Sequence, residues 1–209
     1  SVTAAAFSAD GSALLTACSD GSARLWSAED GKIKAVLRRH AGPLRSVAFS
    51  PSGTRIITIG EDRTARLWNE VGAHIAALTG HTDEISGAVF SIDSSLVVTY
   101  GLDHSALLWT TQTGRQQASF TGHTGAILDA AFAPDGRRVA TASADHSVKV
   151  WMTGGGEVVD LAGHTEAVRM ARFSPDSSRV LTASDDTTAR LWNSTSGNIV
   201  ATLEGHTAA

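Results

Sequence analysis

Histidine between aspartate and serine occurs twice, as Asp103-His104-Ser105 and Asp145-His146-Ser147. These are the residue types of nucleophilic acyl transfer. That chemistry needs the three groups to converge in space, with the serine oxygen on one imidazole nitrogen and the carboxylate on the other. Three consecutive residues in a tight turn do not converge, so both runs are read as turns and no catalytic residue is assigned. A second histidine set, His40, His81, His123, His164 and His206, recurs at steps of 41 or 42 residues. Each falls in a different stretch of chain, and no cysteines or carboxylates stand near it at ligand spacing, so no metal and no cofactor is expected. Gly154-Gly155-Gly156 is not followed by the Lys-Ser/Thr pair of a phosphate cradle and reads as a loop. Basic residues stand two places before a tryptophan at Arg24, Arg66, Lys149 and Arg190, with Leu107 breaking the series. Solvated strand positions explain them better than a nucleic-acid track.

The elements that would carry these residues repeat. Trp26, Trp68, Trp109, Trp151 and Trp192 are spaced by 42, 41, 42 and 41 residues, and six residues before each stands an aspartate: Asp20, Asp62, Asp103, Asp145 and Asp186. Phe49, Phe90, Phe132 and Phe173 each follow a phased histidine by nine residues. A period near 41 marks an array of supersecondary units. In the fifth unit, AVRMARFS, RVLTAS, TARLW and NIVATL are β-rich segments separated by turn clusters, the pattern of a four-stranded antiparallel sheet. Pro51, Pro134 and Pro175 fall at the first turn of their units, where a fixed φ helps. Both faces of such a sheet carry apolar residues. It must therefore be sandwiched between copies, and radial stacking of the copies makes a propeller.

The totals fit a globular chain. Of 209 residues, 42% are hydrophobic and 18% charged, and the net charge of −4 gives no electrostatic reason to expect nucleic acid or an anionic membrane. Cys18 is the single cysteine, so no internal disulfide is possible. No apolar run reaches the roughly 18 residues of a membrane helix. A cytoplasmic location is expected. The chain opens on Ser1 rather than methionine, so its true N-terminus is expected elsewhere.

With Gly-His ahead of the first strand and tryptophan closing the third, the sequence resembles the WD-repeat (WD40) family over essentially its whole length. The aspartate that names the family is missing after every tryptophan, where Ser27, Asn69, Thr110, Met152 and Asn193 stand instead. The resemblance implies an all-β propeller of five four-stranded blades, at about 1–38, 39–79, 80–121, 122–162 and 163–204, with 205–209 starting a further repeat. It also implies a buried hydrogen-bonded tetrad in each blade, placed at His123, Ser143, Asp145 and Trp151, and again at His164, Ser184, Asp186 and Trp192. Earlier units hold Cys18, Gly60 and Gly101 at the hydroxyl position. Partial tetrads are therefore expected around Asp20, Trp26, His40, Asp62, Trp68, His81, Asp103 and Trp109, in softer blades.

By the same resemblance, protein or peptide partners dock on the channel rim at positions that vary between repeats: Thr3, Ser19, Arg45, Glu61, Glu84, Ser86, Leu102, Leu128, Arg169 and Asp185. Arg45 and Arg169 would serve as bidentate anchors and Leu102 and Leu128 as an apolar centre. A non-catalytic interaction scaffold or sensor within a larger signalling protein is expected, with turn and strand sequences like those of bacterial WD-repeat arrays. A carbohydrate-binding propeller is the alternative. Five blades could close into a ring or form an open arc of a longer propeller. An arc would favour self-association through its end blades, and a fragment of a longer array is the expected reading.

Overall fold

The period-two patterning resolves into β-strands in the computed structural model, which describes residues 1–156 and 158–206. Of the expected further repeat at 205–209, residues 207–209 lie outside the described residues. The first sheet contains β1 (Val2–Phe7), β2 (Ala13–Cys18), β3 (Ser22–Ser27) and β4 (Ile33–Arg38). The second contains β5 (Leu44–Phe49), β6 (Arg55–Gly60), β7 (Ala65–Asn69) and β8 (His74–Leu78). β9 (Ile85–Phe90), β10 (Leu96–Gly101), β11 (Ser105–Thr110) and β12 (Gln116–Thr121) form the third. β13 (Ile127–Phe132), β14 (Arg138–Ser143), β15 (Ser147–Met152) and β16 (Val158–Ala162) form the fourth, and β17 (Val168–Phe173), β18 (Arg179–Ser184), β19 (Ala189–Asn193) and β20 (Ile199–Leu203) the fifth. Each sheet is an antiparallel meander with its strands side by side in chain order.

The chain falls into two compact units, Ser1–Thr99 with Trp109–Gln117, and Tyr100–Leu108 with Ala118–Ala209. In the first unit, Leu15, Leu25 and Leu37 of one sheet bury themselves against Leu44, Ile56 and Trp68 of the next. In the second unit, Val148, Val150 and Leu161 meet Val168, Val180 and Trp192 in the same way. One face of each of these sheets is thereby removed from water, at about 25 cal/mol per Å² of apolar surface. Val2 and Phe7 of β1, and Met170 of β17 with Leu181 of β18, remain exposed.

Local chemistry fixes the turns. At each second-to-third-strand turn, the aspartate accepts a hydrogen bond from the backbone N–H two residues on: Asp20 from Ser22, Asp62 from Thr64, Asp103 from Ser105, Asp145 from Ser147 and Asp186 from Thr188. These are Asx turns. The intervening residue takes a positive φ, including 64° at His104 and 71° at His146. Both Asp-His-Ser runs are thus turns, with the histidine exposed and the aspartate and serine half-buried.

In the first, second, fourth and fifth blades the first strand carries the same irregularity. Between β1 and β2, partners step from Val2 to Ala4 and leave Thr3 as the extra residue. Arg45, Leu128 and Arg169 are the extra residues of β5, β13 and β17. Such bulges re-aim a side chain out of the ladder.

Candidate interaction surface

In the second sheet, Thr58 lies opposite Arg66 and Ile56 opposite Trp68, so Thr58 and Trp68 are diagonal neighbours on one face. The Trp68 indole N–H donates to Thr58 Oγ1 at 3.0 Å, and the same hydroxyl lies 2.8 Å from His40 Nε2. His40 Nδ1 is 3.0 Å from Asp62, which also accepts the Ala41 N–H. The fourth sheet repeats this with Trp151, Thr141, His123 and Asp145, each link being 2.8 Å. The fifth repeats it with Trp192, Thr182, His164 and Asp186 at 2.9, 2.7 and 2.7 Å. In the third sheet Trp109 and His81 share Thr99, both at 2.9 Å, and in the first Trp26 donates to Thr16 at 2.9 Å.

The hydroxyl is therefore two residues earlier than the tetrad expected from sequence. Ser143 and Ser184 stand at the strand end, where they donate to the Gly125 and Glu166 carbonyls and accept from the N–H of Asp145 and Asp186. Side chains at i and i−2 share a face of a strand, but the inner one lies within reach of the indole. Cys18, Gly60 and Gly101 consequently remove nothing from the tetrad, and the second sheet's is complete. The missed signal was in the sequence: Thr16, Thr58, Thr99, Thr141 and Thr182 all stand ten residues before a tryptophan.

Hydrogen bonding assigns the protons. The threonine oxygen accepts from the indole, so its own hydrogen goes to Nε2, and Nδ1–H donates to the carboxylate. This is the neutral imidazole. Burial pushes His40, His123 and His164 below their ordinary pKa, with the carboxylates only partly offsetting it. Burial alone would raise the Asp62 carboxyl, but the Ala41 N–H, the Thr64 hydroxyl and His40 outweigh it and hold it at about 2. Asp145 and Asp186 are lowered by the same kinds of donor.

The basic residues before the tryptophans are less solvated than expected. Arg24 pairs with Asp20 at 3.3 Å and Lys149 pairs with Asp160, while Nε of Arg66 and of Arg190 is buried. Among the described residues no cluster of three or more histidine, cysteine, aspartate or glutamate side chains has the arrangement to hold a metal.

The positions expected to recognise partners gather at the turn end of the strands. In the first unit Thr3, Ser19, Arg45, Glu61 and Ser86 are exposed and Glu84 is half-buried. Thr3 donates to the Leu44 carbonyl at 2.6 Å. In the second unit Leu102 and Arg169 are exposed, with Leu128 and Asp185 half-buried. The two arginines are not unpaired anchors. Arg45 Nη2 and Nη1 meet the two oxygens of Glu84 at 2.9 and 2.8 Å, with Glu61 at 3.5 Å. Arg169 forks onto Asp185, with Nε at 2.8 Å and Nη2 at 2.6 Å.

A family model for WD40, described as WD domain, G-beta repeat, matches residues 1–27, 31–69, 72–110, 114–152 and 155–193. The chain belongs to the WD40 family. No curated protein matches it. Each matched WD40 repeat after the first contains the fourth strand of one blade and the first three of the next. WD40 domains generally bind proteins and are usually non-catalytic. No helix of the described residues is long and apolar enough to cross a membrane.

Proposed function

We propose that this WD40 domain is a non-catalytic protein-interaction scaffold whose recognition residues sit on the bulges of the first strands and the neighbouring second-to-third-strand turns. The carrying observation is that Thr3, Arg45, Leu128 and Arg169 occupy the extra position of the same bulge in four blades. A hydroxyl, an apolar side chain and two guanidinium groups thus fill one repeated place, each directly after an aliphatic residue: Val2, Leu44, Ile127 and Val168. The partner meets ion-paired arginines, so acidic groups on it compete with Glu84 and Asp185. A setting within a larger signalling protein belongs to the same reading and rests on the resemblance of the turns and strand ends.

Stacking on a sugar is poorly served. Trp68, Trp109, Trp151 and Trp192 are 1–6% exposed, and their indole N–H groups are already hydrogen-bonded.

The test is affinity capture with the wild-type chain, with Arg45→Glu, with Leu128→Asp, and with Arg115→Glu at the opposite end of its blade. Partners that survive Arg115→Glu but are lost with the other two support the reading. Equal capture by all four proteins would overturn it.

A further inference from the structure

The first-to-second and third-to-fourth-strand turns lie at the end of each blade away from the bulges. There Arg138, the first residue of β14, reaches from the fourth blade into the fifth. Its guanidinium donates to Ser194 Oγ at 2.8 Å, to the Ser177 carbonyl at 2.8 Å and to Asp135 at 3.0 Å. It also lies 5.6 Å from the centroid of the Phe173 ring. Arg55 occupies the same place in β6 and donates to the Thr111 carbonyl at 3.0 Å.

In the first blade that place is held by Ala13. A cavity of about 570 Å³ lies there between the first and second blades, against about 300 Å³ beside Arg138. Its wall repeats the set that holds Arg138. Asp10 stands where Asp135 does, Gly53 where Ser177 offers its carbonyl, Phe49 where Phe173 offers its ring, and the carboxylate of Glu70 where the hydroxyl of Ser194 stands. Gly53 also lacks the serine hydroxyl that accepts the Asp135 N–H at 3.1 Å in the later pair. The Ser8 and Ser12 hydrogen bonds hold the Asp10 carboxyl at about 2, so it stays ionised. Lys34 adds one exposed positive charge to the wall, where the later cavity has Val159.

We propose that this cavity is a docking site for an arginine side chain of a partner protein or peptide. A planar guanidinium fits a site with carboxylates and a carbonyl around one aromatic face, whereas an ammonium has neither the flat face to lay on the ring nor the fixed fork of donors. Arg138 shows how the same surroundings seat the group within this chain. The occupant must come from elsewhere because Ala13 supplies nothing to fill the space.

The test is an NMR titration of the isotope-labelled chain with Gly-Gly-Arg-Gly-Gly amide and its lysine and citrulline counterparts. Saturable shifts are expected at Ala13, Phe49 and Gly53, with the arginine peptide binding at least about tenfold tighter than the neutral citrulline one. Ala13→Arg should fill the site with its own guanidinium and abolish the shifts, with its unfolding midpoint at or above that of the wild type. Exposed Glu70→Gln should weaken binding several-fold and gives a second readout if Ala13→Arg fails to fold. Absence of saturable shifts, equal binding of citrulline, or undiminished binding by Glu70→Gln would overturn the proposal.

Discussion

Trp151 and His123 are joined through one atom: the Thr141 oxygen takes the indole N–H at 2.8 Å and lies 2.8 Å from the imidazole Nε2. Thr141 is fully buried. Thr141→Val keeps the shape but orphans a buried donor and a buried acceptor, and it is expected to cost about 2–4 kcal/mol. Trp151→Ala, which also opens a cavity, should cost about 3–5 kcal/mol. Ser143→Ala removes only a strand-end bond and should cost about 1 kcal/mol. Urea unfolding of the three variants checks the order. A Ser143→Ala loss equal to that of Thr141→Val would return the tetrad to the outer hydroxyl.

Gly60 occupies the second-blade position that is Ser143 and Ser184 in the later blades. A Cβ on Gly60 would lie 2.4 Å from His40 Nδ1 and 2.7 Å from Asp62 Oδ1. Making this repeat match the later ones should therefore force the His40–Asp62 pair apart. Gly60→Ser is expected to destabilise by about 1–3 kcal/mol. A midpoint at or above the wild type would show that the pair relaxes at no cost.

The blades were legible because two periods coincide in the sequence: alternation along each strand, and the step of 41 or 42 residues that repeats Asp62 and Trp68 as Asp103 and Trp109. Side-chain partners were less so. Thr141 and Ser143 lie on one strand face, and spacing alone does not say which hydroxyl meets the indole. Distances across the turn decide that, and the decisive clue was the phasing of threonine with tryptophan. Arg45 and Arg169 stand near the start of their strands, and their pairing with Glu84 and Asp185 was not foreseen. Arg45 and Glu84 belong to neighbouring repeats, 39 residues apart. The bulge that puts Arg45 within reach of that carboxylate leaves no mark in composition.

The tetrads make stability fall with acid in two stages. His40, His123 and His164 are held below the ordinary histidine value of 6.5 mainly by burial. Around and below pH 6.5 the unfolded chain therefore binds more protons than the folded one, and stability falls as the pH drops. Asp62, lowered from 3.8 to about 2, adds a second loss below pH 3.8, and Asp145 and Asp186 act in the same direction. Urea midpoints measured at about pH 8, 5.5 and 3 should decline at both steps. A flat response between the first two would mean that the imidazoles charge freely in the folded state.

Arg45 and Arg169 should separate binding from stability. Their carboxylate partners are on the surface, where ion pairs contribute little to folding because water screens them and ordering long side chains opposes them. Arg45→Ala and Arg169→Ala are expected to unfold at the wild-type urea midpoint, unlike Thr141→Val. They should nevertheless lose partners in capture experiments, because a truncated anchor cannot be replaced by the rest of a turn. Asp185→Asn tests the same site from the other side. It unties Arg169 without removing it, and an acidic partner should then bind more tightly. Large midpoint shifts with unchanged capture would assign both arginines to the scaffold and leave recognition to other residues.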